Sequence, residues 1–401
     1  MQRTNIVKLK PTKTQKKILK EMMYLSSCVY NMANYVVRNQ FFNKEKISTY
    51  FDLKTKIQNK EDYQMLGRSY SSPRIQIYSE TNSARFKLMK SKRQKNVGLP
   101  RYYKNRKTNT TIPSYLVMDN SQYSIKKNYV IIPMSRLMRK KNKIGQTFKI
   151  KYNGILKHKG KQLRGQIHYK EGHFYLYQSV ELKEPKEIKS KIKVGIDLGI
   201  KRIFSIYINN NKTKLIGSNR FFKQWKYYTN LISKEQQYLS TINRKSSNNL
   251  IKLFNKRQKY QNNLFNNLVA KLFRVLKQNN VDEIFVGDVK NIRKNNKNSK
   301  LVNQMINNYW SFDKLNKKLE NKSEEFGITL TKTTEEYTSI TCPKCLHKDK
   351  NNVDDRNFKC TNCNHVDDRD IVGAKNIYSK GMYGSIKSIH WNETIPLGVS
   401  T

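Results

Sequence analysis

KVGIDLGIKRIFSIYI, residues 193–208, decides how the second half of this chain is read. Its apolar residues predict two adjacent, hairpin-connected strands, KVGIDLGI and RIFSIYIN. Asp197 lies inside the first. A carboxylate in an apolar strand is costly to bury unless it is paired or binds metal, the plainer alternative being a strand-end Asp bonded to backbone. A Lys/Glu/Pro linker, KEPKEIKSKI, precedes the pair, and TKLIG follows it. Apolar spacing then predicts helices over about 219–245 and 249–279, the second with Leu264, Leu268, Leu272 and Leu276. The strand EIFVG (283–287), a helix near 301–326 and the strand ITLTKT (328–333) complete an alternating β/α plan. The polar, basic run RKNNKNSK, 293–300, reads as a loop.

The first half has a different pattern. Residues 4–10 alternate like a strand, and residues 12–42 repeat apolar positions at helical spacing, as do roughly 72–90. From Pro100, alternating segments separated by Gly and Asn turns predict a small barrel or sandwich. The simplest arrangement inserts helices 12–95 into a β-domain that begins with strand 4–10. No repeat occurs at solenoid periods.

Composition narrows the function. The 401 residues carry 80 Lys and Arg against 29 Asp and Glu, a net charge of +51. Charge of one sign on that scale opposes compaction and calls for a polyanionic partner, of which nucleic acid is the commonest. No stretch resembles a signal peptide or membrane span, which predicts an intracellular, non-secreted protein without a membrane partner. Four of the five cysteines form two C-x-x-C pairs, Cys342 with Cys345 and Cys360 with Cys363, separated by 14 residues. That is zinc-ribbon spacing, with four thiolates closing one tetrahedral structural site and His347 and His365 as bystanders. Next, VDDRDIVGAKNI places Asp367, Asp368 and Asp370 at a helix start, where simple capping also favours acids.

A strand Asp, a mid-chain strand, a zinc ribbon and an Asp-rich helix start, in that order, resemble the RNA-guided nucleases of the TnpB family. Their Fanzor relatives and the compact type V CRISPR effectors share the resemblance. It extends to YNMANYVVRNQF (30–41), GLPRYYKNR (98–106) and NKRQKYQNNLFNNLVAKL (255–272). It is most specific in EEYTSITCPKC…CTNC…DRDIVGAKNI, where Val372 and Gly373 replace the family's usual Asn-Ala. The resemblance implies an RNase H-like, RuvC-type α/β nuclease domain over 189–337 and 367–380, with a zinc ribbon inserted at 338–366. It implies a wedge-type β-barrel over 1–11 and 96–188, a helical recognition insertion at 12–95 and a tail at 381–401.

Carried over, the resemblance makes Asp197 the first catalytic carboxylate and Asp370 the last. The middle acid, usually a Glu ending the third core strand, is missing: Gly287 stands there. Asp288 is a poor substitute, since neighbouring strand residues point to opposite faces. Some relatives supply the acid from just before the ribbon, which here offers Glu335 and Glu336, 48 and 49 residues downstream of Gly287. Alternation allows only one to reach the core; Glu335 is the first choice. Asp197, Glu335 and Asp370 would hold two Mg²⁺ ions for hydrolysis of a DNA phosphodiester. The implied partners are an omega-type, transposon-encoded guide RNA and double-stranded target DNA carrying a short flanking motif, in a monomer or dimer with RNA. The implied compartment is cytoplasm or nucleoid, or nucleus in a eukaryotic or viral setting. Lys90, Lys92 and Arg93 are candidate phosphate contacts; Tyr102 and Tyr103 are candidates for bases, with core packing as the alternative. Two rival readings stand beside the nuclease: a cleavage-inactive RNA-guided repressor, and a guide-independent DNA-binding accessory of transposition.

Overall fold

The computed structural model describes residues 1–90, 97–145, 147–199, 202–217, 219–288, 312–388 and 395–396. The chain divides into two compact units, Met1–Lys183 and Glu184–Thr401.

In the first unit, β1 (Gln2–Lys10) leads into a 30-residue helix, α1 (Lys13–Phe42). Thr12 and Gln15 cap its start reciprocally, satisfying two backbone N–H groups that the helix cannot. Its Leu19, Met22, Met23, Val29 and Ala33 are fully buried. Three further helices follow: α2 (Tyr50–Ile57), α3 (Glu61–Leu66) and α4 (Arg68–Lys90). The first two were not foreseen, and α4 starts four residues earlier than its sequence pattern indicates. Pro73, the sixth residue of α4, lies inside the helix and has no N–H to give to the Ser69 carbonyl one turn back.

Six more strands then join β1 in one sheet: β2 (Leu116–Met118), β3 (Ser124–Ile125), β4 (Tyr129–Ile132), β5 (Phe148–Asn153), β6 (Lys161–Lys170) and β7 (His173–Glu181). A short helix, α5 (Arg136–Asn142), separates β4 from β5. The sheet order is β2-β6-β7-β1-β5-β4-β3, so the N-terminal strand lies near its middle. The two outer strands, β2 and β3, are neighbours in sequence, joined by residues 119–123. Seven flat strands would span roughly 29 Å, whereas that connection reaches at most about 20 Å. The sheet must therefore curl.

The second unit is a mixed sheet between helices. It comprises β8 (Lys193–Asp197), β9 (Phe204–Ile208), β10 (Lys212–Ile216), α6 (Asn219–Thr241), α7 (Asn248–Gln278) and β11 (Glu283–Gly287). After these come α8 (Phe312–Phe326), β12 (Thr329–Thr333), a small three-stranded sheet of β13 (Val353–Asp354), β14 (Asn357–Lys359) and β15 (Val366–Asp368), then α9 (Arg369–Tyr383) and β16 (Ile395–Pro396). The main sheet runs β12-β11-β8-β9-β10-β16, with β11 parallel to both neighbours and β8-β9-β10 antiparallel. Leu264, Leu268, Leu272 and Leu276 of α7 pack with Leu315 and Leu319 of α8 and with Val194, Ile196, Ile284 and Val286 of the strands. Ala374, Ile377 and Tyr378 of α9 pack with Tyr207 and Phe285 as a separate cluster. No helix among the described residues is long and apolar enough to cross a membrane.

The loop reading of 293–300, the start of the helix near 301 and most of the 381–401 tail lie outside the described residues, as do Lys92, Arg93 and the side chain of Lys90.

Candidate active site

Strand alternation orients the first carboxylate. Val194 and Ile196 join the core with α7 and α8, so Asp197 is free of it. Its carboxylate lies against the start of α9: a Cβ at Gly373 would stand 2.8 Å from Asp197 Oδ2. On β11, Ile284 and Val286 enter the same core, while Phe285 packs against α9 and Gly287 follows it on that side. Val286 is in register with Ile196, which brings Gly287 beside Asp197 one step on.

Glu335 occupies the space that a side chain at 287 would need. A Cβ on Gly287 would lie 2.1 Å from Glu335 Oε1, 2.6 Å from its Cγ and 2.7 Å from its Cδ. Strand alternation does not deliver Glu335, because β12 ends at Thr333. A turn does: the Glu335 carbonyl accepts the Thr338 N–H at 3.2 Å and hydroxyl at 2.9 Å, and Tyr337 takes a left-handed conformation at φ 63°. Helix α9 holds the turn from the other side. Lys380 Nζ donates to the Glu336 carbonyl at 2.7 Å, and the Asn376 amide donates to the carbonyls of Thr338 and Thr341, both at 2.8 Å. Glu336 is exposed.

Asp288 stands at the strand end, as its position in the sequence suggests. The strand stops at Gly287, and the Asp288 N–H donates to the Thr333 carbonyl at 2.7 Å. Its charge nevertheless acts on Glu335.

Crowded acids in a desolvated place hold their protons. Burial, then the charges of Asp197 and Asp288, pushes Glu335 up to about 8. Burial, then the charge of Asp370, pushes Asp197 up to about 7, although the Leu198 N–H favours the ionised form. Glu335 Oε1 is buried with no hydrogen-bond partner among the described residues. Asp370, in the first turn of α9, has two cationic partners: Arg356, from the β13–β14 hairpin, and Arg202 at 3.4 Å, which also pairs with Asp368. The three carboxylates do not all approach within 4.8 Å, as the four cysteine sulfurs do. Asp367 pairs with Lys375, a buried lysine, at 2.5 Å.

The cysteines form a second centre. Their four sulfurs lie within 4.8 Å of one another, with Cys342 and Cys363 3.7 Å apart and Cys345 and Cys360 3.5 Å apart. A tetrahedral ion with ~2.3 Å bonds to sulfur needs edges of about 3.8 Å, so the set fits a structural zinc. The two knuckles repeat one backbone pattern. The N–H of Cys342 donates to the His347 carbonyl and that of Leu346 to the Cys342 carbonyl; Cys360, His365 and Asn364 match this bond for bond. Leu346 and Asn364 both adopt positive φ, 64° and 57°. Neither His347 nor His365 joins the cluster; each faces an Asp instead. Val372, one of the departures from the family pattern, is buried against Cys342, Phe358 and Cys360.

In the first unit the two candidate tyrosines part ways. Tyr103 is built into the fold, edge-on to Tyr30 at 4.8 Å and beneath the buried Arg74, with its N–H donated to Asn31 Oδ1. Tyr102 is half-buried, its ring 5.0 Å from the Arg38 guanidinium.

Sequence reasoning missed Arg202 and Arg356. Among 80 basic residues neither carries a mark of its own, and their roles depend on loops that bring them to Asp370.

Comparison with known proteins bears on the same regions. The Cas12f1-like TNB domain model matches residues 312–377, and the OrfB_IS605 model, described as Probable transposase, matches residues 177–293. A TnpB-like protein of Acidianus two-tailed virus is 25% identical over 424 residues, 95% of this chain and 87% of its own. The CRISPR-associated endodeoxyribonuclease Cas12f1 of an uncultured archaeon is 24% identical over 211 residues, 48% of this chain and 38% of its own. A chain in the cryo-EM structure of a Cas12f1–sgRNA–target DNA complex shares the fold at a TM-score of 0.60 and 17% identity, over 92% of this chain and 83% of that one. Two family models, a relative aligned along nearly the whole length and a common mixed α/β fold agree in what they liken this chain to: TnpB-like proteins and the compact Cas12f effectors.

Proposed function

We propose that this protein is a transposon-derived, RNA-guided DNA endonuclease that cuts beside a short flanking motif. The observation that carries this reading is the assembly of Asp197, Glu335 and Asp370 from β8, a turn and α9, with Gly287 vacating the place Glu335 fills. The domain assignment follows: a RuvC-like nuclease over 189–337 and 367–380, a zinc ribbon at 338–366, a wedge-type barrel over 1–11 and 96–188, and a helical recognition insertion at 12–95. The curled seven-stranded sheet supports the barrel assignment. The +51 charge suits a guide–target heteroduplex read through its backbone.

An all-oxygen donor set, carboxylates raised by burial and by neighbouring acids, and an orphaned Glu335 oxygen fit a hard divalent cation such as Mg²⁺. When bound, two such ions supply Lewis acidity at the phosphodiester and ease deprotonation of the attacking water. Asp197, Glu335 and Asp370 would hold them, the first two giving up their protons on loading. Arg202 and Arg356 set two cations beside Asp370 at the helix start.

Purified protein with its native RNA and Mg²⁺ is expected to cut matched DNA. Asp197→Ala should bind that DNA and leave it intact. Binding without cleavage by the wild type would overturn the nuclease reading in favour of the repressor. Equal DNA binding before and after ribonuclease treatment would overturn the guide.

The raised carboxylates also predict a pH dependence. Asp197 and Glu335 titrate near 7 and 8 when folded, against roughly 4 when unfolded. The folded state therefore binds extra protons across that interval, and metal-free protein loses stability as pH rises through it. Mg²⁺ replaces those protons, so its increment in Tm should be small near about pH 5 and grow towards about pH 8. Glu335→Gln should flatten the trend. An Mg²⁺ increment independent of pH would contradict the arrangement.

A further inference from the structure

Two adjoining cavities in the first unit share a wall. One, of about 520 Å³, is lined by Tyr30, Tyr102 and Tyr103, with Arg85 and Arg101 also on its surface. The other, of about 690 Å³, has Tyr102 on one side and Lys56, Lys60 and Lys104 around it. Both lie within the ~300–1,000 Å³ range of small-ligand sites. No carboxylate is among the described residues lining either.

Tyr102 is the shared element, and the fold fixes its orientation. The Arg38 guanidinium sits 5.0 Å from its ring and donates to the Pro100 carbonyl at 3.3 Å. Arg38 itself lines neither cavity. Beneath, Tyr103 and Tyr30 are locked against each other and against Arg74, which makes the floor of the first cavity rigid and aromatic.

We propose that these cavities bind an unpaired segment of nucleic acid, with a base stacked on the face of Tyr102 turned away from Arg38 and the flanking phosphates on the surrounding cations. Flat aromatic walls accept any base by stacking, and lysines and arginines around a lining that holds no carboxylate track a phosphodiester backbone. A duplex keeps its bases stacked inside and cannot fill the cavities. The inference rests on the nucleic-acid-binding reading above but not on cleavage.

The test uses the full-length protein, without added divalent metal, and fluorescent oligonucleotides: single-stranded DNA, single-stranded RNA and a DNA duplex. Stacking of one base is worth about tenfold or more in affinity. Tyr102→Ala should therefore weaken binding of at least one single strand about tenfold and leave duplex binding within about twofold. Tyr102→Phe and Tyr102→Trp should retain it. Photocrosslinking of wild-type protein to 5-iodouracil-substituted strands should map to Tyr102, and the strand that crosslinks identifies RNA or DNA as the source. Unchanged single-strand affinity in Tyr102→Ala, an equal loss on duplex, or no crosslink at residue 102 in the wild type would each overturn the proposal. Cleavage by the Tyr102 variants and by Asp197→Ala, measured in parallel, keeps this outcome separate from the fate of the nuclease reading.

Discussion

Gly287→Ala should abolish DNA cleavage while leaving nucleic-acid binding intact. The added methyl would stand 2.1 Å from Glu335 Oε1 and under 3 Å from two of its carbons, so the carboxylate must shift from this position. With it goes one of three groups proposed to hold the metal, and a loss of at least about 10³-fold, roughly 4 kcal/mol, is expected in the single-turnover rate. Glu335→Ala should fall as far. Exposed Glu336, replaced by Ala, should cleave within about threefold of wild type, since a solvated surface acid supplies little. The decisive arm is the exchange. Gly287→Glu alone brings a second side chain into an occupied space and should be inactive; Gly287→Glu combined with Glu335→Gly returns the acid to the strand end and should recover much of the rate. Two inactivating changes that rescue each other show that both residues serve one position. Wild-type cleavage by Gly287→Ala, or no rescue in the exchange, would refute the shared position.

How much of this could be read beforehand follows from the kind of signal each element carries. The strand around Asp197, the leucine stripe of α7 and the paired cysteines are written in local periodicity and spacing, which survive without knowledge of the partner surface. Glu335 was legible as a nearby acid, but its delivery was not: the turn depends on Lys380 and Asn376, contributed by a helix some 40 residues further on. Arg202 and Arg356 were invisible for the same reason, compounded by a background in which a fifth of the residues are basic. The helices α2, α3 and α5 are short, eight residues or fewer, and offered too few turns for a periodicity to register. Tyr102 and Tyr103 are adjacent and chemically identical in the sequence. Only packing separates the one built into the fold from the one that lines both cavities.

Cys342→Ser should release the zinc proposed for the ribbon and disorder residues 340–366, and the damage should reach the active site. The ribbon has almost no core of its own: Phe358, Val353 and Val372 gather around the cysteines, and its three strands are two or three residues long. Sulfur–zinc bonding, worth about 10–16 kcal/mol in small zinc modules at neutral pH, would supply the stability that burial cannot. The ribbon also touches α9, which carries Asp370, at several points. Val372 of α9 packs on Cys342 and Cys360, the Arg369 N–H donates to the Arg356 carbonyl at 3.0 Å, and Arg356 pairs with Asp370. Unfolding the ribbon would therefore remove one of the two cations beside Asp370 and loosen the first turn of α9. Expected results are a fall from about one zinc per chain to none, fast amide exchange across 340–366 with protection retained in α7, and a drop in cleavage of at least tenfold. Arg356→Ala separates the two effects: it should keep the metal and the ribbon's protection yet lower cleavage, because only the contact with Asp370 is lost. A zinc-free protein that cleaves at the wild-type rate would show that the ribbon does not support the site.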